Sequence, residues 1–372
     1  MYIGSNMTKK KKIALLNMRY DNNYGGNLQR FALVTVLQRM GYEVEYLYIR
    51  DNWDSWFTTR SWKKIIIRCI KQFIKFIFHP LNEPLIAWHK EDDTYVKQCK
   101  ITEPFLDKYI IHTKVLYTSN DLKRIIKNKQ YDAIVAGSDQ IWRKKYIERY
   151  GIGLFFMDFL PKTFTGKKII YGASFGVDYR EYSEKEMSYI KSFYSSLDYV
   201  SVREVSALSL LNQYGLINPK AEIVLDPTLL LEKEDYISLI KSTKTVAPEG
   251  NMFCYILDKT YEIEQLITQI SGEKQLKPLI WSLETEGTIE QWLRSFLEAE
   301  YIVTDSYHGL LFSIIFNKPF RLIKNELRGQ TRFDSIYQLL DIKLAKDDFN
   351  WDVITKKISK LRKKSMSVLT IL

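Results

Sequence analysis

The chain reads as an α/β protein of two parts, each a doubly wound parallel sheet, on three observations. Short strand-like runs alternate with helical patterns along nearly all of its 372 residues. Several of those runs close on Gly, Ser, Asp or Arg, as strands do when they feed a ligand crevice at the carboxyl edge of an open sheet. The alternation pauses at KSTKTVAPEGN (241–251), which reads as a linker, and then starts again. The length suits two domains of roughly 150–200 residues. The expected limits are 8–240, with a helical insertion at 51–120, and 250–372.

KKIALLNM (11–18) is the first expected strand, and RYDNNYGGN follows as a loop. LQRFALVTVLQRMG is then a helix ending at Gly41, and YEVEYLYI (42–49) is the next strand, an opening typical of a parallel sheet. Residues 51–120 look irregular and mostly helical. DAIVAGSDQIW (132–142), KKIIYGASFG (167–176), YVSVRE (199–204) and EIVLDPTLLL (222–231) are four more expected strands. Beyond the linker come a strand MFCYIL (252–257), a helix YEIEQLITQIS, a strand LKPLIW (276–281) and a helix TIEQWLRSFLEA. The strand EYIVTDS (300–306), a helix over 310–316 and a strand FRLI (320–323) close the pattern.

A hydrophobic fraction of 46% and an aromatic fraction of 14% are ample for packed cores and exclude a disordered chain. Cys69, Cys99 and Cys254 are widely spaced with no CxxC, so neither a disulfide framework nor a cysteine zinc site is expected, which suits a reducing compartment. The first apolar run, IALLNM, is six residues long with no small-residue cleavage site after it, which fits a strand better than a signal peptide. No apolar run approaches the roughly 18–20 residues that span a bilayer. A cytoplasmic protein is expected.

The net charge of +11 is concentrated locally. SWKKIIIRCIKQFIKFIF (61–78) carries Lys63, Lys64, Arg68, Lys71 and Lys75 and no acidic residue. At helical spacing the basic residues oppose Ile66, Ile70, Phe73, Ile74 and Ile77. Such a helix either lies in a membrane interface or packs its apolar face on the core. Nucleic acid is not an expected partner, because the chain has no RNP, helix-turn-helix or zinc-finger pattern.

TDSYHGLLFSIIFNKPF (304–320) holds the best active-site candidates. Asp305, Ser306, His308 and Gly309 fall where a strand gives way to a helix, the position of ligand crevices and of anion-attracting helix N-termini. His308 stands among polar residues and not on an apolar face, which favours a functional role. Other strand ends add Gly137, Ser138, Asp139 and Gln140 from GSDQIW, and Ser174 and Phe175 from YGASFG. Arg203 of SVRE is suited to clamp a carboxylate or phosphate with Glu204 orienting it, or the two form a structural ion pair. Gly25, Gly26 and Asn27 of NYGGNLQR form a generic anion cradle. Asp226 reads as a turn former before Pro227, and Trp142 as a packing residue. His79, His89 and His112 have no ligand spacing, so no metal site is expected.

Six blocks in order, NNYGGNLQRFALVTVLQRMGYEVEYL, YDAIVAGSDQIW, YGASFG, SVRE, VLDPTLLL and TDSYHGLLFSIIFNKPF, resemble the polysaccharide pyruvyl transferase family almost end to end. The resemblance implies two Rossmann-like domains in a GT-B-like arrangement. It also implies transfer of a pyruvyl group from phosphoenolpyruvate to two hydroxyls of a sugar, giving a cyclic ketal and phosphate. The donor would be phosphoenolpyruvate, with no cofactor and no metal. The acceptor would be a sugar of a cell-surface polysaccharide, such as a capsule or exopolysaccharide, or its lipid-linked precursor. The 61–78 helix would then hold the enzyme at the inner membrane face.

In that frame His308 would protonate the enol carbon. Arg203 and the 306–310 turn would hold the donor's anionic groups, and Asp139 or Glu204 would take the hydroxyl proton. Gly25, Gly26, Asn27, Gly137, Ser138, Gln140, Ser174, Phe175, Asp305, Ser306 and Gly309 would line the substrate site. Asn27 departs from the pattern, since an apolar or small residue is common in relatives there. The alternatives are a GT-B-type glycosyltransferase using a nucleotide sugar and a non-catalytic member of a glycan assembly complex.

Overall fold

The structure is a computed structural model and describes residues 10–50, 93–323, 331–342 and 349–372. The basic stretch 61–78 and the histidines at 79 and 89 lie outside the described residues. Six strands form the first sheet: β1 (Lys12–Leu16), β2 (Glu43–Tyr46), β3 (Ala133–Asp139), β4 (Lys167–Ala173), β5 (Tyr199–Val202) and β6 (Glu222–Ile223). They lie in the order β2-β1-β3-β4-β5-β6, and every pairing is parallel. Four strands form the second: β7 (Met252–Tyr255), β8 (Pro278–Trp281), β9 (Tyr301–Thr304) and β10 (Phe320–Leu322). Their order is β8-β7-β9-β10, again all parallel. These are two Rossmann-like units in a GT-B-like arrangement.

Both sheets reverse direction in the same way. In the first, β2 and β3 lie on opposite sides of β1; in the second, β8 and β9 lie on opposite sides of β7. Crossovers leave to opposite faces at such a point and open a crevice beyond the carboxyl ends of the two central strands. The central strands are buried except at Asp139, the last residue of β3, as parallel strands covered by helices on both faces must be.

Helix α1 (Tyr24–Arg39) joins β1 to β2. It starts four residues before the expected LQRF, because the Asn23 side chain caps it by accepting a hydrogen bond from the Gly26 N–H at 3.0 Å. Gly25, Gly26 and Asn27 therefore form the first helical turn, not a loop. The helix is buried on nearly all sides, because it lies between the two units.

In the chain order that follows come α2 (Asp93–Tyr109), α3 (Ser119–Lys129), α4 (Lys144–Ile147), α5 (Glu184–Tyr194), α6 (Val205–Gln213), α7 (Lys233–Lys241), α8 (Tyr261–Lys274), α9 (Ile289–Glu298), α10 (Tyr307–Ile315), α11 (Thr331–Leu340) and α12 (Trp351–Ser367). The expected strand EIVLDPTLLL shrinks to two residues and becomes a 3-10 turn over Pro227–Leu230. Pro227 has no N–H to give a ladder, and Asp226 caps the turn by accepting from Thr228 N at 3.0 Å and Thr228 Oγ1 at 2.8 Å. Helix α10 begins at Tyr307, not at 310, because Ser306 accepts from Gly309 N at 3.3 Å. His308 and Gly309 are thus inside its first turn.

Two seams join the units. The Tyr24 ring enters an aromatic pocket formed by Tyr255, Trp281 and Trp292, and its hydroxyl lies 2.9 Å from the Thr285 carbonyl and 3.0 Å from that of Gly287. Asn22 Nδ2 donates to the Leu283 carbonyl at 2.6 Å beside it. On the other seam α12 returns to the first unit: Arg362 Nε donates to Leu229 O at 2.8 Å, and Leu225 N donates to Ser365 Oγ at 2.9 Å. One apolar core runs from Leu15 and Leu33 through to Phe253, Trp292 and Phe312. No described helix is long and apolar enough to cross a membrane.

Candidate active site in the interdomain cleft

A cavity of about 280 Å³ lies where the two reversal points face each other. The first unit contributes Asn17, Met18 and Arg19 after β1, Gly26, Asn27 and Arg30 from α1, and Asp139 and Gln140 at the end of β3. The second contributes Leu257 after β7, Asp305, Ser306, Tyr307 and His308 after β9, and Arg332 from α11. Arg19, Arg30, Arg149 and Arg332 share the lining with Asp21, Asp139 and Asp305. A larger cavity of about 1450 Å³, lined by Lys10, Lys12, Lys123, Lys127 and Phe159 among others, lies at the amino ends of the first strands. That edge is away from the crevice where open sheets carry their chemistry.

His308 is 5% exposed and sits directly across from α1. A Cβ on Gly25 would lie 2.2 Å from His308 Cβ and Cγ, so only glycine leaves space for the ring. Nε2 has no hydrogen-bond partner and is 3.8 Å from Asp226 Oδ2. Burial pushes the imidazole below its ordinary value; Asp226 and Asp139 oppose the shift, and Arg203 and Arg332 add to it.

Arg203, expected to hold a substrate anion, already holds two carboxylates. Nη1 pairs with Asp226 and Nη2 with Asp139 Oδ1 at 2.9 Å, and the side chain is buried. A clamp filled in this way organises the site from beneath, and it is Arg332 that lines the cavity, 3.9 Å from the same Asp139 oxygen. Both guanidiniums approach the Tyr307 ring, Arg203 at 5.2 Å and Arg332 at 4.9 Å from its centroid.

The two expected bases, Asp139 and Glu204, stand in opposite surroundings. Burial alone would raise the Asp139 carboxyl, but Arg203, His308 and Arg332 overcome this and hold it well below the usual carboxylate range, which makes it a weak proton acceptor. Glu204 is fully buried outside the cavity lining. Burial pushes its carboxyl up against the pull of Arg203, and neither oxygen makes a well-formed hydrogen bond, although Ser174 and the Gly176 N–H are near. The expected Arg203–Glu204 ion pair is replaced by pairs to Asp226 and Asp139.

The remaining expected residues divide into lining and support. Gly26, Asn27, Gln140, Asp305 and Ser306 line the cavity. Asn27 is committed to structure: its amide donates to Asp21 O at 2.7 Å and accepts from Arg30 Nη1 at 2.8 Å. Gln140 accepts from Arg143 at 3.0 Å. Both Asp305 oxygens accept backbone N–H groups, from Leu257 at 2.7 Å and Asp258 at 3.0 Å, tying the end of β9 to that of β7.

Gly137, Ser138, Ser174 and Gly309 stand behind the lining. Gly137 has φ +134° and its missing Cβ would be 2.0 Å from Tyr171 O, so glycine is required for the close approach of β3 and β4. Ser138 donates to the Gly172 carbonyl, and Ser174 accepts from Gly176 N at 2.9 Å. Phe175 is a correction: it is 1% exposed and packs on Trp142, Tyr182 and Tyr214, so it belongs to the core. Trp142 is buried in the same cluster, stacked on Phe156 at 5.0 Å. His112 uses its ring on Asp107 and the Thr113 carbonyl.

Arg332 and Arg30 are site residues that sequence reasoning did not single out, Tyr307 entered only as part of the 306–310 turn, and Asp226, read as a turn former, both caps its turn and reaches the site. Arg30 had a legible signal, a charged residue inside an apolar helical run. It is buried, donates to Met18 O at 2.8 Å and lies over Tyr46 at 4.6 Å. Asp226 had a comparable one, an acid inside VLDPTLLL.

Fold and site together define a two-unit α/β protein with an arginine-rich interdomain cleft around a buried histidine. The chain belongs to the polysaccharide pyruvyl transferase family, whose model matches residues 23–326. No curated protein matches it. Among solved structures it is similar to S. aureus MnaA with UDP, at 11% identity, TM-score 0.45 and coverage of 95% of this chain and 88% of that one. It is also similar to the UDP-GlcNAc 2-epimerase from Neisseria meningitidis bound to UDP-GlcNAc, at 8% identity, TM-score 0.45 and coverage of 96% and 93%. The UDP-GlcNAc 2-epimerase from Methanocaldococcus jannaschii in complex with UDP-GlcNAc and UDP stands at 10% identity, TM-score 0.43 and coverage of 94% and 92%. Likenesses this distant say nothing about what the cleft takes.

Proposed function

We propose that the chain transfers a pyruvyl group from phosphoenolpyruvate to two hydroxyls of a sugar in a cell-surface polysaccharide or its lipid-linked precursor. The observation that carries this reading is a cavity in which four arginines face three aspartates around a buried histidine. Phosphoenolpyruvate brings a carboxylate and a phosphate, and an excess of guanidinium groups suits both. The family supports a pyruvyl group as the moiety transferred and a polysaccharide as the acceptor class.

The enol carbon takes a proton while one sugar hydroxyl oxygen bonds to the carbon that carries the phosphate. The bond from that carbon to the phosphate oxygen then breaks, and the second hydroxyl closes the ketal. Of the two hydroxyl protons released, one replaces the proton given to the enol carbon and the other leaves with the phosphate. His308 is the proton donor. Burial, with Arg203 and Arg332, lowers the proton affinity of its ring against the pull of Asp226 and Asp139, and the negative charge of the incoming donor favours the imidazolium. Arg332 meets the donor anion, with Arg203 fixing the carboxylates beneath it.

The test is to incubate the purified protein with phosphoenolpyruvate and glycan intermediates, following phosphate release and, by mass spectrometry, addition of one pyruvyl ketal. Release of a nucleoside diphosphate from a nucleotide sugar would establish the glycosyltransferase reading instead. Unchanged glycan output with His308→Ala would point to the non-catalytic one. For peripheral membrane contact the residues are Lys63, Lys64, Arg68, Lys71 and Lys75, whose charge reversal should abolish flotation with anionic vesicles.

A further inference from the structure

We propose that Asp226 is a positioning residue for His308, holding the Nε2 side of the ring so that Nδ1 is the nitrogen presented to substrate. The chemistry rests on the pyruvyl-transfer reading; the geometry does not. Asp226 is 2% exposed and does not line the cavity, so it has no route to the substrate itself. Its carboxylate is immobilised from both sides. Oδ1 accepts from Thr228 N at 3.0 Å and Thr228 Oγ1 at 2.8 Å, while Oδ2 pairs with Arg203 Nη1. That second oxygen is the one 3.8 Å from His308 Nε2, a buried nitrogen with no hydrogen-bond partner.

The ring is closely packed on its other side. Gly25 packs against its opposite side, where even one added carbon would come within 2.5 Å of Nδ1. Closing the 3.8 Å gap to a charge-assisted hydrogen bond needs a shift of about 1 Å. The other charged groups facing the ring are Asp139 and Arg203 from the ends of β3 and β5, and Arg332 from α11, with the Tyr307 ring at 5.5 Å on its own helix. Of the two carboxylates, Asp139 faces the cavity, so a bound anion competes with it for Arg332; Asp226 is sealed beneath and keeps its geometry. Asp226 sits on the first unit and His308 on the second, so the pair exists only when the units are packed together.

The experiment is nitrogen-15 NMR on the full chain labelled at histidine, with the His308 signals assigned by their loss in His308→Gln. The expected wild-type neutral tautomer carries its proton on Nε2, toward Asp226. In Asp226→Asn the His308 midpoint should fall by about one pH unit, a tenfold loss in proton affinity. In the same variant kcat for phosphate release should fall about 10²-fold with KM for phosphoenolpyruvate little changed. Asp226→Glu should recover part of both effects. An Nδ1-protonated tautomer in the wild type, or an unmoved midpoint in folded Asp226→Asn, overturns the proposal. Should Asp226→Asn not fold, the wild-type tautomer decides alone. A wild-type protein that does not turn over phosphoenolpyruvate defeats the transfer reading, while the tautomer and the midpoint still decide the role of Asp226.

Discussion

Tyr24 of the first unit lies flat against Trp292 of the second, ring centroids 5.7 Å apart and planes 9° apart. The same ring touches Tyr255 and Trp281, and its hydroxyl is pushed up to about 12 by burial. Two and three residues further along α1, Gly26 and Asn27 line the cleft. The seam that joins the units and the floor of the cavity are therefore one piece of helix.

Removing that ring should be costly. Tyr24→Ala is expected to destabilise the protein by about 3–5 kcal/mol, since it empties an aromatic pocket that cannot collapse without moving two units. Tyr24→Phe keeps the ring and loses the hydrogen bonding to the Thr285 and Gly287 carbonyls, for about 1 kcal/mol. Denaturant unfolding of the two variants side by side checks the order and the gap.

Gly25→Ala tests the close approach of α1 to His308. The new carbon would meet His308 Cβ at 2.2 Å, so the ring must shift. A displacement on the order of 1 Å costs about 10²-fold in turnover, whereas helix propensity at this position favours alanine. Because His308 Cβ is fixed to its backbone, the clash also forces α1 and α10 apart, so phosphate release should collapse and stability should fall by about 1–3 kcal/mol.

The pH dependence of folding carries the signature of His308. Its folded value lies below the ordinary 6.5, so the unfolded chain takes up this proton first as pH falls. Stability from this group is therefore intact above 6.5 and declines on acidification below it. His308→Gln should flatten the fall in melting temperature between neutral and mildly acidic pH. Donor binding has the opposite effect on the ring. Calorimetry in buffers of different ionisation enthalpy should show proton uptake on adding phosphoenolpyruvate at neutral pH.

Asp139 behaves in the other direction. Its folded value is depressed, so its contribution is present above the ordinary 3.8 and is lost as pH falls through the carboxylate range and below. Asp139→Asn removes one partner from the buried Arg203 and should cost about 3 kcal/mol, near the low end for a broken buried pair because Asp226 remains. Unfolding of wild type and variant across acidic pH should show the difference shrinking as pH drops.

Much of the architecture was readable in advance because it rests on local rules. Uninterrupted apolar runs such as IALL and YIVT signalled strands buried on both faces, and the alternation with helical patterns signalled parallel sheets. The caps were legible too, although Asn23 and Ser306 started their helices earlier than the apolar periodicity suggested. His308 was identified from its place at a strand-to-helix junction, and the structure brings it to the cleft lining beside Asp305 and Ser306.

By itself the sequence determined the two-sheet plan, the family blocks and the strand ends that converge on one crevice, since periodicity, capping and turn chemistry act over a few residues. Only the tertiary structure decided what each polar group does there. Arg203 became the partner of Asp139, 64 positions away, and of Asp226, so its clamp is closed on carboxylates of the chain itself. Phe175 went to the core, Arg332 arrived from a helix with no motif, and Asp226 came up beneath a histidine of the other unit. Burial and charge pairing depend on which distant faces meet, and that is set by packing two sheets around α1.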